Sequence, residues 1–266
     1  MTDSIASVLV VGYGTMGRGI VKTFAENGFE TSVLTRDPSK VTNLPDKALA
    51  IAELPDTTPD LIIESVPEDI ALKHELFLKL ESKYDGASIL ATNTSGLPID
   101  DVAKPLTHKD KFIAIHYMQP AEAFPLVEVC RLKETSDQTT KACVDALSRS
   151  GKESIVLQRP IIGFLINRLQ HALLHEAYCM IEDGIISAED VDKFARRGFG
   201  PRMCVTGLIE QKDLSGIDVN AAAQRSIVPD LYHTGKPSQM VQDMAARGDH
   251  GVKSGKGFYD WRDRDT

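Results

Sequence analysis

Residues 7–17 read S-V-L-V-V-G-Y-G-T-M-G, a short apolar run that leads directly into three spaced glycines. The β-branched run predicts a buried strand of a parallel sheet. Gly12, Gly14 and Gly17 then fit the G-x-G-x-x-G pattern. In that pattern the first glycine permits a tight turn, the second lets the backbone approach a pyrophosphate, and the third lets a helix pack against the strand. The stretch therefore predicts the phosphate-binding turn of a dinucleotide site.

The sequence after the glycines supplies the context that this motif needs. Residues 16–27 carry apolar side chains at helical spacing, and residues 31–34 form a second short apolar run. Further strands are predicted at 61–63, 88–91, 111–115 and 126–129, with an amphipathic helix at 70–84. Repeated alternation of strand and helix predicts an α/β fold built on a Rossmann doubly wound sheet, whose ligands collect at the carboxyl ends of the strands.

The end of the second predicted strand indicates which dinucleotide binds. An acidic residue there contacts the ribose of NAD, whereas an arginine accommodates the 2′-phosphate of NADP. This chain has Thr35 and Arg36 at that point, followed closely by Ser39 and Lys40. The four residues predict a phosphate pocket and favour NADP over NAD. A solvated surface charge is the alternative interpretation of Arg36.

Composition argues against several classes of partner. The 266 residues carry a net charge of −8, and a nucleic-acid partner would require a basic surface. The apolar stretch at residues 8–11 is too short for a signal sequence or a membrane span. The four cysteines are scattered, form no C-x-x-C pair and indicate reduced thiols. We therefore expect a cytoplasmic protein that binds a small molecule and neither nucleic acid nor membrane.

Several longer motifs follow one another along the chain. They are G-Y-G-T-M-G-R-G-I, E-S-V-P-E-D-I-A-L-K-H-E-L-F, N-T-S-G-L-P-I, H-Y-M-Q-P, P-L-V-E-V, G-F-L-I-N-R-L and S-G-K-G-F-Y-D-W. In this order they resemble the signatures of the 3-hydroxyacyl-CoA dehydrogenases and their relatives, including the L-gulonate 3-dehydrogenase and lambda-crystallin group. The resemblance covers nearly the whole chain. It implies an enzyme that transfers hydride between a nicotinamide cofactor and a secondary alcohol or ketone.

The resemblance also implies a set of catalytic residues. In the family the histidine of H-Y-M-Q-P, here His116, is the acid/base, and the glutamate of L-V-E-V, here Glu128, orients it. Imidazole suits proton transfer near neutral pH, and a carboxylate on its far nitrogen holds the tautomer. Ser95 and Asn167 match two further polar residues that contact the substrate oxygen. A serine that only caps the turn after Asn93 is the alternative for Ser95.

The same resemblance implies the cofactor contacts. Besides the three glycines and the predicted phosphate pocket, they are Thr15, Met16, Val66, Pro67, Glu68, Lys73, Asn93 and Gln119. Glu68 and Lys73 match positions on the nicotinamide side of the cofactor, with a solvated helix charge as the alternative. Gln119 stands where the family has asparagine, so its contact is expected to shift by the length of a methylene group.

A second departure from the family bears on the substrate. Acyl-CoA-specific relatives carry a long helical arm between the second and third strands, which helps to hold the coenzyme A nucleotide. Residues 37–60 of this chain contain Pro38, Pro45 and Pro55 and leave room for one short helix, expected at 47–53. The sequence therefore favours a small hydroxy acid or polar alcohol that does not require CoA.

The C-terminal part is predicted to be a separate helical domain. Residues 1–159 are expected to form the dinucleotide-binding domain, and residues 160–266 the substrate and dimerisation domain. A long amphipathic helix is predicted at 167–182, and Ser187 is expected to cap the next one. Relatives dimerise through this domain, so the resemblance implies a homodimer.

Two residues of that domain are further candidates for substrate binding. His171 lies one helical turn after Asn167, on the same face. Arg202 could hold a carboxylate, because a planar guanidinium binds one in bidentate fashion. His171 and His175 are spaced as a metal pair would be, but no third ligand accompanies them, and no metal is predicted.

Two alternatives remain open at this point. One is a 3-hydroxyacyl-CoA dehydrogenase proper, acting on 3-hydroxybutyryl-CoA or a similar thioester with a trimmed arm. The other is a non-catalytic Rossmann protein that only binds a nucleotide or serves a structural purpose. The joint presence of His116, Glu128, Ser95 and Asn167 argues against the second, because a nucleotide sensor needs only the glycine turn.

Overall fold

Eight strands form one sheet in the computed structural model, which describes residues 4–262. They are β1 (Ser7–Val11), β2 (Glu30–Leu34), β3 (Ala48–Ile51), β4 (Leu61–Glu64), β5 (Ile89–Thr92), β6 (Phe112–Tyr117), β7 (Leu126–Arg131) and β8 (Glu153–Leu157). Their order in space is β3-β2-β1-β4-β5-β6-β7-β8. Neighbours are parallel except β6 and β7, which are antiparallel. The order reverses beside β1, which creates a ligand crevice at the carboxyl ends of β1 and β4.

Helices cover both faces of this sheet. The first unit contains α1 (Thr15–Glu26), α2 (Ile70–Tyr84), α3 (Ile99–Val102) and α4 (Asp137–Arg149), and it ends at Arg168 within α5 (Phe164–Glu182). Side chains of β1 alternate between two cores. Val8 and Val10 pack with residues of α1 and α4, whereas Leu9 and Val11 pack with residues of α2 and α3. The predicted Rossmann sheet is confirmed.

The segment after β2 is a strand, so the helix expected at 47–53 is wrong. Ala48–Ile51 pairs with β2 in parallel register, with Thr31 opposite Ala48. Alanine and leucine favour a helix locally, but propensity is a weak term, and pairing with the edge of β2 satisfies backbone groups of both strands. Within residues 35–60, all of which are described, the only regular elements are β3 and a 3-10 turn at Pro38–Lys40. That segment contains no helical arm.

The second unit begins at Leu169 and is helical, as predicted. After the remainder of α5 come α6 (Ala188–Phe194), α7 (Gly200–Val205), α8 (Glu210–Ser215), α9 (Ile217–Ile227) and α10 (Gln239–Ala246), with a π-helical turn at Ala195–Phe199. The predicted cap is confirmed, since Ser187 Oγ accepts a hydrogen bond from the Asp190 amide at 3.1 Å. Among residues 4–262, no helix combines the length and apolarity that a membrane span requires.

Candidate active site

The turn after β1 has no room for a side chain at two of its glycines. Gly12 has φ +103°, and a Cβ there would lie 2.6 Å from the carbonyl oxygen of Ser65. A Cβ on Gly17 would lie 2.1 Å from the carbonyl oxygen of Gly12. Apart from the chain neighbours of Gly14, no described residue has a heavy atom within 4 Å of a Cβ placed there, and Gly14, the N-cap of α1, makes no side-chain cap. The first amides of α1 therefore face a space that fits a pyrophosphate.

Two residues of the predicted phosphate pocket contact a carboxylate just after β2. Asp37 accepts a hydrogen bond from the Ser39 hydroxyl at 2.6 Å and lies 3.1 Å from the Lys40 ammonium. Hydrogen bonds from Ser39 and Lys40 hold the pKa of Asp37 below its usual range. Arg36 is exposed, next to the half-buried Thr35. Ser39 and Lys40 are thus engaged by Asp37, and both Lys40 and Arg36 are exposed to solvent.

Two of the predicted catalytic residues face each other across neighbouring strands. His116 on β6 is directly opposite Glu128 on β7, and their exposed fractions are 4% and 1%. His116 Nδ1 lies 2.8 Å from Glu128 Oε2, and Nε2 lies 3.1 Å from Ser95 Oγ. A proton on Nδ1 donates to the carboxylate, which makes Nε2 the acceptor for the Ser95 hydroxyl. The structure thus joins Ser95, His116 and Glu128 in one hydrogen-bonded chain.

The second oxygen of Glu128 is held by the start of α5. Oε1 accepts hydrogen bonds from the amides of Leu165 and Ile166, at 2.7 and 3.0 Å. Burial raises the pKa of Glu128, but hydrogen bonds from His116 and from these two amides outweigh it, so the pKa lies below its usual range. The carboxylate is therefore ionised at neutral pH and stabilises a protonated imidazole beside it. Asn167, the fourth predicted catalytic residue, follows on α5 and is half-buried.

An aromatic ring covers one face of His116. Phe164, the first residue of α5, is 2% exposed, and its ring centroid lies 4.5 Å from that of the imidazole at an interplanar angle of 22°. Neither this contact nor the amides that bind Glu128 were predicted from the sequence. The available signal was a Gly-Phe pair just before the predicted helix, and motif spacing does not show which ring a side chain stacks on.

Glu68 fixes the turn that carries Ser95. Its carboxylate accepts hydrogen bonds from the Ser95 amide at 2.7 Å and from the Thr94 hydroxyl at 2.8 Å. Thr94 in turn accepts a hydrogen bond from the Leu97 amide at 3.1 Å. The hydroxyl that caps this turn is therefore that of Thr94, while the Ser95 hydroxyl is directed at His116.

Lys73 occupies a different place from the one expected. Its ammonium is fully buried, 2.5 Å from Glu64 Oε1 and 3.5 Å from Glu68 Oε2. Glu64 is also fully buried and accepts hydrogen bonds from the Val66 amide at 2.8 Å and the Thr92 hydroxyl at 2.7 Å. Lys73 therefore neutralises an internal carboxylate and has no surface left for the predicted direct contact with the cofactor. A glutamate that ends an apolar strand was the sequence signal for this pair, because buried glutamates are nearly always paired.

The other predicted cofactor contacts lie just after four of the strands, two of them at the start of α1. They are Thr15 and Met16 after β1, Val66 and Pro67 after β4, Asn93 after β5, and Gln119 after β6. The side-chain oxygen of Asn93 accepts a hydrogen bond from the Tyr117 amide at 3.0 Å. The loop that carries Gln119 is held by Lys152, whose ammonium donates to three of its carbonyl groups.

The two further substrate candidates belong to the second unit. His171 lies on α5 and Arg202 on α7, and both residues are exposed. Their contact with a substrate stays a prediction.

A dinucleotide-binding sheet with a histidine–glutamate pair at its ligand edge is typical of nicotinamide-dependent dehydrogenases. Family models for two domains match this chain along nearly its whole length. The model for the 3-hydroxyacyl-CoA dehydrogenase NAD-binding domain matches residues 7–58 and 48–160, and that for the C-terminal domain matches residues 163–261. The chain belongs to the 3-hydroxyacyl-CoA dehydrogenase family.

Individual relatives differ in the substrates that their names give. The chain is 25% identical to 5-formyl-3-hydroxy-2-methylpyridine 4-carboxylate 5-dehydrogenase of Mesorhizobium japonicum, over 96% of this chain and 90% of that protein. It is 29% identical to 3-hydroxybutyryl-CoA dehydrogenase of Mycobacterium tuberculosis, over 97% and 99% respectively. One similar solved structure is that of a 5-formyl-3-hydroxy-2-methylpyridine 4-carboxylic acid 5-dehydrogenase, an NAD+-dependent dismutase. It has a TM-score of 0.89 at 24% identity, and the match covers 97% of this chain and 92% of that one. This comparison shows that the two folds are alike. This protein is accordingly an NAD(P)-dependent oxidoreductase that acts on CH–OH groups.

Proposed function

We propose that this enzyme transfers hydride between NADP(H) and a small secondary alcohol or its ketone, with His116 as the general acid/base. The proposal rests on the hydrogen-bonded series Ser95–His116–Glu128, in which Ser95 and Glu128 bind opposite nitrogens of one buried imidazole. A non-catalytic nucleotide-binding protein would not require such a hydrogen-bonded series, because dinucleotide binding needs only the glycine turn and the strand ends.

Each residue of this hydrogen-bonded series has a defined role in alcohol oxidation. When bound, the nicotinamide ring supplies the hydride acceptor. His116 Nε2 takes the hydroxyl proton of the alcohol, while Glu128 stabilises the resulting imidazolium through Nδ1. When substrate binds, the Ser95 hydroxyl donates its hydrogen bond to the substrate oxygen instead of to Nε2, and Asn167 is proposed as a second donor. In the reductive direction the imidazolium returns its proton to the ketone oxygen.

NADP is proposed as the preferred form of the cofactor. Thr35 stands at the end of β2, where an acidic side chain would favour NAD, and Arg36 is exposed beside it. A guanidinium binds phosphate through two parallel hydrogen bonds, which suits Arg36 to the 2′-phosphate. Asp37 already binds Ser39 and Lys40, so Arg36 carries most of the proposed selectivity.

A small substrate without CoA is proposed from the segment between β2 and β4. Residues 35–60, described throughout, hold a short strand and a 3-10 turn where an acyl-CoA-specific arm would stand. A relative whose name gives a pyridine carboxylate substrate covers 96% of this chain. The second candidate is a 3-hydroxyacyl-CoA dehydrogenase proper, favoured by the match with 3-hydroxybutyryl-CoA dehydrogenase.

Residues 160–266 are proposed as the substrate and dimerisation domain of a homodimer. Large apolar side chains of the second unit are exposed in the single chain, among them Val205 at 83% and Ile209 at 75%. Exposed apolar patches of this kind mark association surfaces. His171 and Arg202 are proposed as substrate contacts, with Arg202 binding a carboxylate. A cytoplasmic location is proposed because all four cysteines are free thiols.

The test compares His116→Gln with the wild-type enzyme and with His108→Gln, which alters an exposed histidine outside the site. Ketones and keto acids, free and as CoA thioesters, are assayed with NADPH and with NADH. We expect His116→Gln to lose at least about 100-fold in kcat while NADPH binding, followed by fluorescence, stays the same. His108→Gln should behave as wild type.

Each outcome of this test decides a separate part of the proposal. Full turnover by His116→Gln would remove the acid/base assignment. A higher kcat/KM for acetoacetyl-CoA than for every free keto acid would establish the second candidate. A higher kcat/KM with NADH than with NADPH would contradict the assignment of Arg36.

A further inference from the structure

The backbone of Phe164 is unusual. Its φ is +50°, in the left-handed region that side chains rarely adopt. The other non-glycine residues with positive φ among those described are Asn43 and Asp85, whose short polar side chains tolerate this region. A bulky aromatic residue does not, and strained conformations of this kind persist where the surroundings enforce them, often at active sites.

Two contacts at the site depend on this conformation. The ring of Phe164 is buried and lies on His116 with centroids 4.5 Å apart. The turn that Phe164 begins also directs the amides of Leu165 and Ile166 at Glu128 Oε1. One residue therefore contacts the imidazole through its side chain and supports the carboxylate partner through the backbone that follows it.

The plane of the His116 ring is set by rotation about its Cβ–Cγ bond. Glu128 and Ser95 bind Nδ1 and Nε2, so both contacts lie in the plane of the imidazole. Rotation about Cβ–Cγ lifts both nitrogens out of that plane, and hydrogen bonds tolerate a moderate departure from linearity before they weaken steeply. A ring stacked on the face of the imidazole restricts this rotation further, because turning the imidazole would drive the two rings into each other. The aromatic face also attracts the positive charge that His116 acquires during turnover.

We infer that Phe164 is a positioning residue for His116: its ring holds the plane of the imidazole, and its left-handed backbone places the two amides that hold Glu128. The inference rests on the proposed function, in which His116 moves the proton. Proton transfer requires Nε2 to point at the substrate oxygen, so loss of the stacked ring is expected to reduce the chemical step and to leave cofactor binding unchanged.

The test uses Phe164→Leu, which removes the aromatic ring, and Phe164→Tyr, which keeps it. The matched control is Phe77→Leu, a fully buried phenylalanine of the same apolar core on α2. We expect Phe164→Leu to lower kcat by roughly 10- to 100-fold with an unchanged KM for the cofactor, since small misplacement of a catalytic group has effects of this size. Phe164→Tyr should recover most of kcat, and Phe77→Leu should lower Tm and leave kcat at the wild-type value.

An NMR measurement reads the stack without any turnover. With histidine labelled at Cε1, the His116 proton, assigned by its loss in His116→Gln, should resonate upfield of the other six histidines because of the Phe164 ring current. The upfield shift should persist in Phe77→Leu and disappear in Phe164→Leu.

The inference and the proposed function fail in different ways. An unshifted His116 resonance in the wild-type protein would overturn the inference even if Phe164→Leu did not fold. Wild-type kcat in Phe164→Leu, with none in His116→Gln, would also overturn the inference and leave the proposed function intact. Full activity in His116→Gln would overturn the proposed function instead.

Discussion

The two units of this chain differ in how far they bury their apolar side chains. In the sheet unit Val10, Ile63 and Ile113 are completely buried. Among residues 169–262, in contrast, Cys179 and Ser238 alone are buried. A parallel sheet with helices on both faces closes its core within one chain, whereas short amphipathic helices need a further surface to cover their apolar sides. The difference shows that the sheet unit buries its apolar side chains within the chain, and it supports the proposed association through the helical unit.

This contrast also explains where the predicted chemistry lies. A hydrogen-bonded histidine–glutamate pair needs fixed neighbours and little water, and two adjacent strands inside the sheet provide both. The pair lies on adjacent strands of the unit with the closed core. The helical unit contributes the proposed association surface and the two exposed substrate candidates.

The largest expected effect tests how completely the sheet unit excludes water. Replacing Lys73 by Met leaves the Glu64 carboxylate buried without its cation, which should lower the free energy of unfolding by about 3–5 kcal/mol. Urea denaturation followed by circular dichroism measures this change. The matched control, Lys83→Met, breaks a surface pair with Asp56 at 2.7 Å and should leave the free energy of unfolding nearly unchanged. Equal losses in the two variants would show that water reaches Glu64.

A second prediction concerns the exposed apolar surface of the helical unit. Ile209→Asp places a charge on a residue that is 75% exposed in the single chain. If a partner covers this surface, the charge should convert a dimer into a monomer, measured as molar mass by light scattering after gel filtration. The control is Leu49→Asp on β3, 63% exposed in the sheet unit, which should leave the dimer intact. A dimer that persists in Ile209→Asp and dissociates in Leu49→Asp would show that the sheet unit, and not the helical unit, forms the association surface.

The smallest expected effect uses the cysteines as reporters of the two units. Burial raises the pKa of the Cys130 and Cys143 thiols to about 12, whereas Cys204 in the helical unit is exposed. At pH 8 the two buried thiols are ionised on the order of one part in ten thousand, and the thiolate is the reactive form. An aromatic disulfide reagent should therefore label Cys204 rapidly at pH 8, and its rate at the buried thiols should rise with pH. Rapid labelling that persists when both thiols of the helical unit are removed, in Cys179→Ser/Cys204→Ser, would show that the sheet core opens.

Much of the fold could be predicted because its signals are local. The bounds expected for α2 are those of the structure, and the strand before the glycine turn and the strand that holds His116 lie where their apolar runs predicted. Ala48–Ile51 was assigned to a helix because four small and aliphatic residues carry little information by themselves. Pairing with the edge of β2 decides their structure, and that pairing depends on residues elsewhere in the chain.

In the candidate site, too, some features could be predicted from local sequence and others depended on tertiary contacts. Motif resemblance identified His116, Glu128, Ser95 and Asn167, and the structure joins the first three through hydrogen bonds. The burial of Lys73 against Glu64 could not be predicted from the charge of either residue. It depends on the position that α2 takes against the sheet, which brings two residues nine positions apart into contact.

What the amino-acid sequence determined by itself is the list of elements and reactive groups: a glycine turn between strand and helix, alternating strands and helices, an imidazole and a carboxylate at strand positions. These depend on residue type and short-range spacing. Only the tertiary structure decided that His116 stands directly opposite Glu128, that the start of α5 binds the far oxygen of that glutamate, and that Phe164 covers the imidazole. Those contacts join segments far apart in the chain, and their geometry exists only once the strands have paired and the helices have packed.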